Sequence, residues 1–335
     1  MFDMRRRDVI ALLCGAAAAW PFAARAQESR QVRLVGIFYN YGRADDPVTT
    51  AEIGAFKEAL WRLGWSEGRN VRFEEHLNPP DSATRRKLAK ELVAIKPDVI
   101  LTSSTPATTA VFAETRTIPV VFVSVSDPVG SGFAVSLSHP DGNVTGFTNF
   151  EATIGQKWLE LLTEIAPHIR RVRVIFNPET AVNGGNYFFQ PIEIAARKLQ
   201  IEAVALHARS AGDIEHAIVA AAELSDAAVI AIPDISMFLH RDLVASLTMR
   251  HRLPLASGST DFVRVGGLIA YDMDRLDQAR RAASYVDRIL KGERPGDLPI
   301  QGPVKFTLAI NLKTAKALGL EVPPALLARA DEVIE

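Results

Sequence analysis

Cysteine is almost missing from this chain: Cys14 is the only one in 335 residues. It falls in an N-terminal stretch that reads as removable, which leaves the rest without a disulfide, a thiol nucleophile or a thiolate metal ligand. Stability must then come from packing, and a 48% hydrophobic composition supplies material for one large or two medium cores. A dominant charge is missing too. Without the leader's four arginines and two aspartates, 34 basic side chains face 37 acidic ones, whereas binding a polyphosphate needs a concentrated cationic surface, so nucleic acid is excluded as a partner. The densest basic run, Arg85-Arg86-Lys87, sits in a helical pattern with Leu88, Leu92 and Ile95 turned inward, and it reads as a solvated helix face. Catalytic signatures are absent as well. There is no G-x-S-x-G elbow, phosphate loop, H-E-x-x-H pair or G-x-G-x-x-G fingerprint. The seven histidines show no metal-ligand spacing, and Asn183-Gly184-Gly185-Asn186 reads as a flexible loop. The expectation is a non-enzyme without metal or cofactor.

What is present begins with residues 1–26. Arg5, Arg6 and Arg7 precede an apolar stretch from Val9 to about Trp20, and Ala24-Arg25-Ala26 offers small residues where a signal peptidase inspects the chain. Cleavage after Ala26 and a periplasmic location follow. The apolar stretch falls short of the ~20 residues a helix needs to cross a bilayer core. Paired arginines also fit the twin-arginine signal. Leu13 stands before Cys14 where lipid attachment wants a small residue, so lipidation is not expected.

Beyond the leader, short apolar runs alternate with amphipathic helical patterns. The run Val32–Phe38 is followed by a stripe of Ile53, Phe56, Leu60 and Leu63. Strands near Val71–Glu75, Val99–Thr102 and Val120–Val123 then alternate with helices over Ser82–Ile95 and Pro106–Glu114. Apolar strands between amphipathic helices are what a parallel sheet covered on both faces requires. From Ser126 to Thr148 the rhythm breaks into a Gly/Pro/Asn-rich stretch, read as a crossover. The alternation then restarts, with helices over Ile154–Ile165 and Phe238–Arg250 among others, and a long helix from Leu276 to Leu290 precedes a last strand and helix. The fold class is α/β: two doubly wound parallel-sheet, Rossmann-like lobes joined by three crossovers. Lobe 1 spans 31–148 plus 272–301, and lobe 2 spans 149–271 plus 302–335. In such a clamshell the ligand sits between the carboxyl ends of both sheets.

The segments Leu63–Val71, Thr117–Phe122, Ser126–Gly132, Gly142–Gly146 and Ile310–Leu320 together resemble the periplasmic substrate-binding proteins of ABC transporters. The resemblance is to the type I binding-protein fold, in the subgroup that includes tryptophan/tyrosine-binding members, and it covers nearly all of the chain after the leader. It implies a monomer that closes about its hinges on a small polar ligand, an amino acid or similar organic molecule, and hands it to an ABC permease in the inner membrane. A subunit presenting ligand to a sensor, or a periplasmic α/β enzyme, are the alternatives. Asp272 after Tyr271 departs from the family pattern, which carries glycine there.

Candidate ligand contacts are the residues expected just past strand ends. In the first lobe, Ser103, Ser104 and Thr105 lead into a helix start, a seat for a ligand carboxylate. Ser126 and Asp127 leave the fourth strand, and Asn40 with Tyr41 follow the first, offering a polar head and a stacking ring. In the second lobe the candidates are Asn149, Phe150, Asn177 and Asp234, with Tyr271 and Asp272 at a crossover. Asp234, held past a strand end by Pro233, suits a ligand ammonium, with Ser236 taking the role of helix cap.

Overall fold

The computed structural model describes residues 32–40, 46–79 and 81–335. The leader and Tyr41 therefore lie outside the described residues. The first sheet consists of β1 (Arg33–Tyr39), β2 (Val71–Leu77), β3 (Val99–Ser103), β4 (Val120–Val125) and β5 (Val144–Thr148), all parallel in the order β2-β1-β3-β4-β5. Helices α1 (Pro47–Arg62), α2 (Ser82–Ala94) and α3 (Thr105–Glu114) connect its strands. Each starts where a short polar side chain meets the first free amides: Asp46 accepts from Val48 N, Asp81 from Ala83 N and Thr84 N, and Ser104 from Ala107 N. Ile95, expected to face inward, is exposed just past the end of α2.

The second lobe contains β6 (Arg171–Phe176), β7 (Glu202–His207), β8 (Ala227–Ala231), β9 (Leu255–Ser257), β10 (Ile269–Met273), β11 (Phe306–Asn311) and β12 (Glu332–Ile334), in the order β12-β11-β10-β9-β8-β6-β7. This sheet is mixed, since β10 and β11 run antiparallel. Its helices are α4 (Ile154–Ile165), α5 (Asn186–Lys198), α6 (Ala211–Ala222), α7 (Ile235–Leu239), α8 (Arg241–Arg250), α9 (Thr260–Arg264), α11 (Leu312–Leu318) and α12 (Pro324–Leu327). Between them in sequence, α10 (Arg275–Leu290) returns to the first lobe, where Ala279, Ala282, Ala283 and Val286 share a core with Val35, Phe56 and Val121. No helix among the described residues is long and apolar enough to cross a membrane.

Three differences from the sequence reading have physical causes. The stretch taken wholly as a crossover ends in β5, fully buried, whose Gly146 lets the chain pass against β4: a Cβ there would lie 2.1 Å from Phe122 O. The expected helix Phe238–Arg250 is two helices divided at His240. Tyr271 and Asp272 sit inside β10, so the chain leaves the second lobe at Asp274 rather than at Tyr271 and Asp272. The crossings lie side by side and are tied together: Thr148 N donates to Gln301 O, Asp274 N to Lys305 O, and Gln278 Nε2 to Thr148 O.

Candidate ligand cleft

The carboxyl ends of β3 and β4 face those of β6 and β8 across a groove. On the first-lobe side, Ser104 holds φ +84°, Ser124 φ +57° and Asp127 φ +43°, a cluster of left-handed residues without glycine. Such conformations cost about 1–3 kcal/mol each and concentrate at functional sites. Thr105 Oγ1 accepts from Ser126 N at 3.2 Å, and Ser126 Oγ donates at 2.9 Å to Asn149 Oδ1, which also accepts from Phe150 N. Ser104, Thr105, Ser126, Asn149 and Asp234 line one small cavity of about 30 Å³, together with Ser124, Thr180 and Val182. Five of the sequence candidates thus converge. Ser103 and Asn40 sit at neighbouring strand ends, and their Oγ and Nδ2 are buried without a hydrogen-bond partner, as is Tyr39 OH, which the sequence reading passed over.

Other candidates are engaged elsewhere. Phe150 is buried in the second-lobe core, edge-on to Trp158 and Phe188, because the chain turns inward immediately after Asn149. Tyr271 stacks on Phe306 at 5.1 Å, on the face of β10 that meets the same core. The Asp127 carboxylate accepts from Gly130 N and closes its own turn, and Asn177 Oδ1 does the same with Glu179 N. Asp234, rather than Ser236, caps α7. Its carboxylate accepts from Asn177 N at 2.7 Å, Ser236 N at 3.1 Å and Thr180 Oγ1. Burial pushes that carboxyl up, and the donors pull against it.

A second constellation lay outside the sequence candidates except for Asp272. The Arg275 guanidinium at the start of α10 faces Asp261 at 3.4 Å, Asp272 at 3.7 Å and Glu52 of α1 at 3.9 Å, and Nη2 donates to Ser259 Oγ. Burial, offset by Arg275 and reinforced by Asp261, Asp272 and Asp46, holds the Glu52 carboxyl up at about 7. Burial likewise raises Asp272 to about 6, with Arg275 opposing. Nearby, Arg241 of the second lobe pairs with Asp46 of the first at 3.0 Å. Glu52 and Arg275 are remote in sequence and carry no motif, so only the folded topology joins them.

Among the described residues no grouping of His, Cys, Asp and Glu is arranged to hold a metal. The sequence model of the ABC transporter substrate binding protein family matches residues 44–334. The chain belongs to that family. Among solved structures, this substrate-binding protein is similar to a conserved domain protein from Vibrio cholerae, with 28% identity, 90% of this chain and 100% of that one covered, and a TM-score of 0.83. An ABC domain from Streptococcus pneumonia in complex with L-Trp superposes with the same TM-score at 22% identity, covering 90% of this chain and 99% of that one. The "Tyrosine-binding protein" of Clostridioides difficile strain R20291 is 26% identical over 267 residues, 79% of this chain and 76% of that protein. Two α/β lobes of this topology make the fold that of a type I binding protein, and the family's work is capture of a small ligand for an ABC transporter.

Proposed function

We propose that the substrate-binding protein captures an amino acid, its carboxylate at the start of α3, and delivers it to an ABC permease after export through the leader of residues 1–26. The observation that carries this is the convergence on one helix start of Ser104, Thr105 and Ser126, beside the buried, unpartnered Ser103 Oγ and Asn40 Nδ2. Each such buried group costs about 1–3 kcal/mol when unsatisfied, and a carboxylate accepting from Ser103, Asn40 and the amide of Thr105, the first residue of α3, relieves that cost. The names of the tyrosine-binding relative and of the L-Trp complex support the ligand class. Catalysis has no part in this reading. The residues lining the cleft recognise and release.

Calorimetry with the twenty amino acids, beginning with L-tyrosine and L-tryptophan, tests it. At least one is expected to bind, and Ser103→Ala is expected to weaken that binding at least tenfold, equivalent to ~1.4 kcal/mol. Binding of sugars but no amino acid would refute the ligand class.

A further inference from the structure

Arg85, read from sequence as part of a solvated helix face, has a different environment in the fold. It stands on the first turn of α2 and lines an inter-lobe chamber of about 380 Å³ with Thr105, Pro106 and Thr109 of α3 and Thr180, Val182 and Asn183 of the facing loop. Its Nε is buried without a hydrogen-bond partner, and no ion pair to its guanidinium forms among the described residues. The nearest carboxylate, Asp81, is committed to capping α2 through Ala83 N, Thr84 N and Thr84 Oγ1. Burial accordingly draws the Arg85 guanidinium below its ordinary pKa, with Asp81 opposing.

The chamber adjoins the small cavity at the start of α3, and Thr105, Pro106, Thr180 and Val182 line both. About 30 Å³ holds only a few atoms, so the body of a ligand anchored there must extend outward into the larger space, which falls in the ~300–1,000 Å³ range of small-molecule sites. The charged groups lining that space are Arg85, Arg86 and Glu179, and Glu179 is already paired with Arg209 at 3.1 Å. The remaining balance is cationic. We propose that the ligand carries a second anionic group at its far end, held by Arg85: an amino acid whose side chain ends in a carboxylate or similar oxyanion. A planar guanidinium with an unused buried donor suits such a group by charge and by geometry.

This inference rests on the headgroup reading of the cleft, and the experiment separates the two. Dissociation constants are measured by calorimetry for matched pairs, L-phenylalanine with 4-carboxy-L-phenylalanine and L-glutamine with L-glutamate, on the wild type, Arg85→Gln and Arg85→Lys. The wild type is expected to prefer the carboxylated member of at least one pair tenfold or more. Arg85→Gln should abolish the preference while the neutral member still binds, and Arg85→Lys should restore part of it. Equal or tighter binding of the neutral members, an unchanged preference in Arg85→Gln, or binding of neither pair overturns the assignment. If neutral amino acids bind and Ser103→Ala weakens them, the headgroup reading survives on its own.

Discussion

Replacing Asp234 by Asn separates a structural carboxylate from a recognition carboxylate with one change of atom. One oxygen faces Thr180 Oγ1 and Ser236 N, the other faces Asn177 N at 2.7 Å, and every one of these partners donates. An amide side chain keeps one acceptor and turns an N–H group toward the remaining donor. The milder orientation preserves the Thr180 and Ser236 bonds and leaves Asn177 N buried against a second donor, a loss of about 1–3 kcal/mol. The charge-assisted strength of the two surviving bonds declines as well. A total of about 2–3 kcal/mol follows, which lowers the melting temperature by roughly 5–10 °C in a domain the size of the second lobe. Scanning calorimetry on ligand-free wild type and Asp234→Asn measures it. Because Asp234 also fixes Asn177 and Thr180, ligand affinity is expected to weaken only secondarily. An unchanged melting temperature with a tenfold loss of affinity would refute this reasoning and return Asp234 to the role of ligand acceptor.

Further outcomes follow from other sites. Folding raises the Glu52 carboxyl from 4.5 to about 7, so its contribution to stability is fully present below pH ~4.5 and is lost as the pH climbs to 7. Glu52→Gln should match the wild type near pH 4.5 and exceed it at pH 8 by up to ~3 kcal/mol; parallel melting curves from pH 4.5 to 8 would contradict this. Gly146→Ala drives a Cβ into the backbone of Phe122 at φ +150° and should cost at least ~3 kcal/mol, to be read by urea unfolding, where a loss under 1 kcal/mol would count against the close approach of β4 and β5. Ligand should reduce the radius of gyration in small-angle scattering, as hinge closure about the three crossings requires; an unchanged radius would argue against a clamshell.

The two-lobed architecture was legible because the central strands, such as Val99–Ser103 and Val120–Val125, are mostly apolar and buried along their whole length, and most helices carry one buried stripe. β5 was not, because Gly142 and Asn143 just before it and Gly146 within it read as a turn, while its burial comes from neighbours distant in sequence, such as Leu298, whose O accepts from Thr145 Oγ1. Serines and threonines at the ends of β3 and β4 were legible as a cleft, since a strand's last residues emerge at the sheet edge whatever the tertiary detail. Phe150 and Tyr271 were not, because the face a side chain takes depends on where the chain turns after a crossing. Arg85 and Glu52 carry no local signal of their own. Both look like ordinary members of amphipathic helices until the opposite lobe arrives.

The return of α10 to the first lobe has a consequence for the order in which the molecule assembles. Ala279, Ala282, Ala283 and Val286 complete a core begun by Val35 and Val121, yet they are synthesised after β6 to β10. A nascent chain ending near residue 270 therefore holds all five strands of the first sheet, with the face that α10 shares covered only by Ile53, Phe56 and Leu60 of α1. Joining Val35 to Val286 closes a loop spanning most of the chain, a contact of high sequence separation that slows folding. The core of the first lobe thus stays incomplete until residues 279–286 have been made, which is after most of the polypeptide.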